Sequence, residues 1–321
     1  MKTETSTPGT KTPPAKFFER LQKIYSEENY EKILKGLEVE RKTSFRINIL
    51  KSNKEEIETY LTTNNIEFEI SSFSDIAYII DKKHEYTLKG SDIFYSGKIY
   101  IQGLSSMLPP IILNPKRSEK ILDVTAAPGS KTTQLAAMIN NSGEIAAIEH
   151  NQIRFDKLNY NLKLQGVTNT NTHKIHAKHL SYNFANNYFD RILFDAPCSA
   201  EGRINLANEK TFGFWTLENI AKNQAVQLEL LETVIPLLKS GGTLVYSTCT
   251  LAPEENEEVV NRIVNKFDNL ELESFDTEIE NSLPGITEFE SKKYNKNLSK
   301  TLRILPTELS EGFFIAKIVK K

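Results

Sequence analysis

Apolar residues recur at helical spacing over 15–38, where Phe17, Phe18, Leu21, Ile24, Ile33, Leu34 and Leu37 mark one or two short amphipathic helices. The period then changes. In SFRINIL (44–50), Arg46 and Asn48 alternate with Phe45, Ile47 and Ile49, the two-residue repeat of a strand. A helix over 53–63 and strands near 66–71 and 76–81 complete a small α+β domain. From Lys120 the texture becomes strand, turn and helix in repetition. KILDV (120–124), EIAAIE (144–149), THKI (172–175), RILFDA (191–196) and TLVYSTC (243–249) read as strands, with GFFIAKIV (312–319) as the last. Helices are expected over 131–140, 151–165, 217–238 and 254–267, with Gly166 capping the second and Gly241–Gly242 breaking the third. Such alternation implies a parallel sheet with helices on both faces, and ligands at the carboxyl ends of its strands. The expected organisation is a disordered tail (1–14), a small domain (15–98) and an α/β domain (99–321).

Composition bounds the class. With 39% hydrophobic and 26% charged residues, the 321-residue chain is a globular protein, not a disordered or fibrous one. No apolar run approaches the roughly 18 residues of a membrane span. The polar start, MKTETSTPGTKTPPAK, has no apolar signal core, so a monomeric cytoplasmic protein is expected. The net charge of −2 lends no support to nucleic-acid binding, which usually goes with a basic surplus. Lys292, Lys293, Lys296, Lys300 and Arg303 form a local basic run, either a binding patch or a solvated loop.

The chemistry gathers at strand ends. The first α/β strand runs into DVTAAPGSKTT (123–133), whose small residues let the backbone pass close to a ligand. It is neither a dinucleotide loop, having only Gly129, nor a Walker loop, which needs glycines where Thr125 and Ser130 stand. Glu149 ends the next strand, where a carboxylate can accept both hydrogen bonds of a ribose diol. Asp195 and Cys198 follow the strand 191–196, and Cys249 ends the strand 243–249. The chain's two cysteines, far apart in sequence, therefore meet the same sheet edge, and two cysteines do not make a disulfide scaffold. No metal site is read.

DVTAAPGSKTTQ, DAPCSAEG and GGTLVYSTCTLAPEENEEVV resemble the signature motifs of the Nop/Sun family of RNA 5-methylcytosine methyltransferases, closest to its bacterial ribosomal-RNA and archaeal tRNA branches. SFRINILK, IYIQGLSSMLPP and LRILPTELSEGFFIAKI extend the resemblance over roughly 40–321. It implies a Rossmann-like class I methyltransferase sheet behind a small α+β RNA-binding domain, S-adenosyl-L-methionine as cofactor, and RNA (rRNA or tRNA) as substrate. It further implies that Ala126, Ala127, Pro128, Gly129, Ser130, Lys131 and Thr132 wrap the methionine end of the cofactor and that Glu149 holds the ribose. Asp195 would sit beside cofactor and base, Cys249 would be the nucleophile, and Cys198 would act in product release. Arg154 matches a family arginine, with a surface ion pair as the alternative. Where the family has an acid that reads the adenine amino group, the aligned residue is His176, and a neutral imidazole can accept that hydrogen bond. Ala200 replaces the usual glycine.

Two thiols and a carboxylate suit this reaction. Carbon 5 of cytosine attacks a sulfonium methyl only after a thiolate adds at carbon 6, and a base must then remove the carbon 5 proton. Asp195, if protonated, could stabilise the charge at ring nitrogen 3. DNA cytosine methyltransferases place a Pro-Cys nucleophile after the fourth strand, which would select Cys198 instead. The DNA enzymes' Pro-Cys-Gln is missing, and Ser-Thr-Cys favours Cys249. Other readings are an RNA-binding assembly factor with a degenerate cofactor pocket, and a methyltransferase acting on DNA or an exocyclic amine. Phe212, Phe214 and Trp215 would stack on bases or pack on the next helix, packing being preferred. Arg46 and Asn48 are candidates for RNA contact. Because the chain ends at the last strand, a compact tRNA enzyme or one working on preassembled ribosomal RNA is expected.

Overall fold

The computed structural model describes residues 12–276 and 279–321, so most of the expected tail lies outside the described residues. Two helices come first, α1 (Ala15–Ile24) and α2 (Glu27–Glu38). Next is an antiparallel sheet of β1 (Thr43–Ile47), β2 (Phe68–Ile70), β3 (Ala77–Ile80) and β4 (Ile99–Ile101), in the order β2-β3-β1-β4. It is accompanied by α3 (Lys54–Thr63), α4 (Glu85–Lys89) and α5 (Asp92–Tyr95). Phe45, Ile47, Ile57, Leu61 and Tyr78 pack its core. Ile99 belongs to that core too, so the sheet runs past the expected boundary at 98. The first two helices go elsewhere. Phe17, Leu21, Tyr25, Ile33 and Leu37 bury their apolar stripe against Ile204, Phe212, Trp215 and Leu251 of the larger domain.

That domain follows α6 (Leu104–Leu113) and is built on a nine-stranded sheet. Its parallel half contains β5 (Lys120–Asp123), β6 (Glu144–Ile148), β7 (Thr170–His173), β8 (Phe189–Asp195) and β9 (Leu238–Thr248). The connecting helices are α7 (Ser130–Met138), α8 (Gln152–Leu164) and α9 (Leu217–Val234), with α10 (Glu257–Lys266) after β9. Polar caps set several starts: Asn53, Asn151 and Thr216 each accept from the backbone N–H three residues on. The other half is antiparallel. β10 (Leu270–Glu273), β11 (Ser282–Pro284), β14 (Leu302–Ile304) and β15 (Phe313–Lys320) return without crossover helices, as antiparallel pairing permits. Two-residue strands β12 (Glu288–Phe289) and β13 (Lys292–Lys293) pair separately. The sheet is thus mixed, not parallel throughout.

Strand order β6-β5-β8-β9 puts the reversal of chain direction between β5 and β8, where a ligand crevice opens at the carboxyl ends. Smaller differences have local causes. The third α/β strand lies at Thr170–His173, two residues before its expected place, because it pairs Ile145 to Thr170 and Ile148 to His173. The helix expected to reach 238 stops at Val234, since Pro236 forces a 3₁₀ turn over Ile235–Leu237. Gly241 and Gly242 therefore break no helix; they lie within β9, opposite a register shift between Phe189 and Arg191. Among the described residues no helix is long and apolar enough to cross a membrane.

Arg46 and Asn48 do not reach solvent for RNA. Each is 1% exposed. Asn48 Nδ2 donates to Gly97 O and Gln165 O, both at 2.8 Å. Arg46 donates to Gln102 Oε1 (2.9 Å) and across the domain junction to Ser130 O (3.2 Å) and Thr133 Oγ1 (2.6 Å). Burial pulls its guanidinium down to about 10. The strand alternation is real, but its polar face meets the other domain.

Candidate active site

Parallel pairing of Asp195 with Ser247 brings the ends of β8 and β9 side by side. Cys198 and Cys249, each just beyond its strand, are free and stand with their sulfurs 3.3 Å apart. Their hydrogen bond, and then burial, push the Cys198 thiol well above its ordinary value. Asp195 completes the group. Its Oδ1 accepts from Ser247 Oγ at 2.8 Å and its Oδ2 from Lys131 Nζ at 2.7 Å, while its backbone oxygen accepts from Thr125 Oγ1 at 2.7 Å.

A cleft of about 300 Å³ opens beside this cluster. Ala127, Glu149, Arg154, His176, Asp195, Cys198 and Cys249 line it, bringing together residues that the sequence scatters over five strand ends. Ala126, Pro128, Gly129, Ser130, Lys131 and Thr132 do not line it; they carry the chain from β5 into α7 beside it. Gly129, at φ +104°, makes the left-handed turn into α7, and a side chain there would crowd Leu158. Thr132 Oγ1 donates to the buried Asp123 at 2.7 Å, and burial raises that carboxyl to about 6. Pro128 O accepts from Asn161 Nδ2, Ser130 O from Arg46, and Lys131 reaches both Asp195 and Ser106 Oγ.

The opposite wall is polar. Glu149 is 4% exposed, with Oε1 accepting from Asn151 N at 2.7 Å and Oε2 facing Arg154 Nε at 3.4 Å. Arg154 also donates to Ala127 O at 2.7 Å, so it braces the loop against the carboxylate. This brace is more than the surface ion pair considered from the sequence. His176 Nδ1 accepts from Lys178 N at 3.3 Å, and burial, His150 and Lys178 all lower its pKa from 6.5. These residues fit S-adenosyl-L-methionine: small walls at Ala127, Ala177 and Ala196, with an engaged but unsaturated carboxylate at Glu149 for the ribose diol.

Several residues of the site were not singled out from the sequence. Arg203 lines the cleft, more than half exposed, and pairs with Glu311 at 3.3 Å. Behind Cys198 lies a buried acidic cluster. Glu255 accepts from Ser199 N–H, and burial pushes its carboxyl up to about 8. Glu201, raised by burial, accepts from Trp215 Nε1 at 2.7 Å and from Thr250 Oγ1 at 3.3 Å. The one signal was the acid-rich Pro-Glu-Glu-Asn-Glu that follows Cys249, where buried acids are unusual enough to mark a site. Phe212 and Trp215 are buried in packing, as preferred, but the partners include Phe17 and Leu21 of α1 and not only Ile220 of the next helix, while Phe214 is half exposed. The basic run is dispersed: Arg303 is buried against Glu257, Lys292 binds Glu258, and Lys300 donates to Leu272 O.

Comparison with known proteins agrees over most of the chain. The profile of the family "16S rRNA methyltransferase RsmB/F" matches residues 110–319. A tRNA (cytosine(49)-C(5))-methyltransferase of Pyrococcus abyssi is 39% identical over 316 residues, 95% of this chain and 96% of its own length. Ribosomal RNA small subunit methyltransferase F of Aeromonas salmonicida is 36% identical over 86% of the chain, which spans 57% of that relative. NSun6 from Pyrococcus horikoshii, solved with the S-adenosylmethionine analogue SFG, superposes with a TM-score of 0.80 at 26% identity, covering 96% of this chain and 98% of that one.

Proposed function

The chain belongs to the 16S rRNA methyltransferase RsmB/F family, and from that premise we propose that it methylates carbon 5 of a cytosine in ribosomal or transfer RNA. The observation that carries the reading is the contact of two free thiols, 3.3 Å apart, beside Asp195 and the cleft. The bound cofactor supplies an electrophilic methyl group. Ala127 and Arg154 shape its pocket, Glu149 receives the ribose, and His176 lines the adenine side. Because His176 Nδ1 is an acceptor for Lys178 N–H, its Nε2 carries the proton. In that tautomer Nε2 donates to a ring nitrogen, where the acid of other members would accept from the amino group.

Cys249 adds to carbon 6 of the cytosine, with Cys198 bearing the proton of the pair. Asp195, accepting from Lys131 and Ser247, meets the base beside the cofactor's methyl group. Once Cys249 is bonded to carbon 6 it is a thioether. The Cys249 hydrogen bond, the largest cause that raises Cys198, and the Cys249 charge are then gone, so Cys198 releases its own proton to solvent and, as a thiolate, takes the carbon 5 proton. The electrons of that C–H bond restore the ring double bond, and Cys249 leaves as a thiolate. All these groups come from one chain, which supports action as a monomer.

The test uses RNA transcripts and denaturing gels. Cys249→Ala should form no covalent protein–RNA adduct and lose activity by about 10⁴-fold or more. Cys198→Ala should accumulate the adduct. The opposite pattern would establish the Pro-Cys assignment of the DNA enzymes. Bisulfite sequencing of total RNA, with and without the protein, assigns the molecule and position.

A further inference from the structure

The backbone on both sides of Cys198 is held by two buried side chains from elsewhere in the chain. Gln227, in the middle of α9, donates Nε2 to Pro197 O at 2.8 Å and to Glu255 Oε2 at 2.9 Å. Glu255, in the turn between β9 and α10, accepts from Ser199 N–H on both oxygens, at 3.0 and 3.3 Å. The carbonyl before Cys198 and the N–H after it are thereby tied to one amide–carboxyl pair. Both side chains are fully buried, and neither lines the cleft.

The amide has one workable orientation. Turned over, its oxygen would face the Pro197 carbonyl, which has no hydrogen to give, and the contact to Pro197 would be lost. Keeping it this way leaves Gln227 Oε1 buried without a hydrogen-bond partner among the described residues. Such an orphan is uncommon, because burying an unpaired polar atom destabilises the fold. Cys249 is seated differently, at the end of β9, so its attack on the base does not depend on this pair.

We propose that Gln227 and Glu255 are positioning residues that aim Cys198 Sγ at the carbon 5 proton and so set the rate at which the covalent intermediate is resolved. The role rests on the thiol assignment above. In the step concerned, the proton passes from carbon 5 to the Cys198 thiolate, the C–H electrons re-form the ring double bond, and Cys249 departs as a thiolate. A displaced Cys198 slows that step alone.

The experiment follows one turnover with S-adenosylmethionine and whichever transcript the wild-type protein methylates, small-subunit rRNA or pooled tRNA. Adduct and transferred methyl are measured separately. Gln227→Met should form adduct and transfer methyl at the wild-type rate, yet release product about 10- to 100-fold more slowly, the scale of a misplaced reacting group. Glu255→Ala should do the same. Glu255→Gln, which keeps an oxygen for Ser199 N–H, should recover much of the release rate. Wild-type release in Gln227→Met overturns the proposal, as does parallel loss of adduct formation and release in a variant that still binds S-adenosylmethionine normally. If Glu255→Ala does not fold, Gln227→Met and Glu255→Gln decide. Cys198→Ala is run alongside. If it fails to trap adduct, the thiol assignment is wrong; if it traps adduct and Gln227→Met does not, only the positioning role is wrong.

Discussion

The two turns that carry the thiols are built from different materials. Around Cys249 the nearest contacts are mostly neutral, with Thr248 Oγ1 donating to Asn256 Oδ1 at 2.6 Å and Asn256 Nδ2 to Thr250 O at 3.0 Å, while Thr250 Oγ1 reaches Glu201 at 3.3 Å. β15 pairs Phe314 opposite Thr248, so the strand end is fixed from both sides. Around Cys198 the nearest support is ionisable, with Glu255 under Ser199 and Glu201 one turn farther on. The attacking sulfur therefore sits in a frame held mainly by neutral groups, while its partner's backbone is held directly by a carboxyl that titrates. A step needing a fixed nucleophile and a step needing a mobile proton are served by different chemistry in adjacent loops.

The largest effect expected lies just outside the neutral turn. Arg303, 1% exposed, donates to Leu251 O at 2.9 Å and pairs with Glu257. Glu257→Ala leaves that cation buried without its partner and should cost about 3–5 kcal/mol in urea denaturation. An unchanged midpoint would mean that the pair contributes nothing to the frame. On the titrating side, Glu255 holds its proton up to about 8, against an ordinary 4.5. Between those values the native protein keeps a proton that the unfolded chain has lost, so stability should fall as pH rises from about 4.5 to about 8. The total is on the order of several kcal/mol, and Glu255→Gln should flatten that part of the profile. If both proteins show the same slope, the titrating group lies elsewhere.

Asn256→Ala offers the sharper contrast. It should lose about 1–3 kcal/mol, by orphaning Thr248 Oγ1 and Thr250 O, with no change in how stability varies with pH. The smallest effect belongs to His176. With its pKa lowered from 6.5, the ring stays neutral at and above that pH, and protonation would remove the acceptor for Lys178 N–H. Cofactor affinity, read by calorimetry, should be level above pH 6.5 and fall only below it, and His176→Asn should abolish the fall.

What could be read from the sequence was whatever depends on strand ends. Asp195, Cys198 and Cys249 were visible because a hydrophobic run followed by a reactive residue puts that residue at the ligand edge, wherever the run lies in the chain. Groups that join distant segments sideways were hidden. Gln227 looks like an ordinary polar residue of a helix, and only folding brings it to Pro197 and Glu255. Arg46 was legible as one face of a strand but not as buried, since nothing local says that a second domain covers that face. The run 292–303 was basic in composition only, because a hairpin, a 3₁₀ turn and a strand send its charges in different directions. Of the antiparallel half only the last strand was read; β10, β11 and β14 escaped because strands of three or four residues carry too little pattern.

Gly202 and Gly312 touch through their backbones. Gly312 N–H donates to Gly202 O at 2.9 Å, Gly202 N–H donates to Cys249 O at 3.0 Å, and a side chain on Gly202 would strike Gly312 O at 2.1 Å. The latch that closes the loop after Cys198 onto the loop of Cys249 is therefore made almost at the carboxyl end of the sequence. During synthesis, every other part of the reactive centre leaves the ribosome before this latch does. A nascent chain that stops short of Gly312 carries both sulfurs but not this latch between their loops.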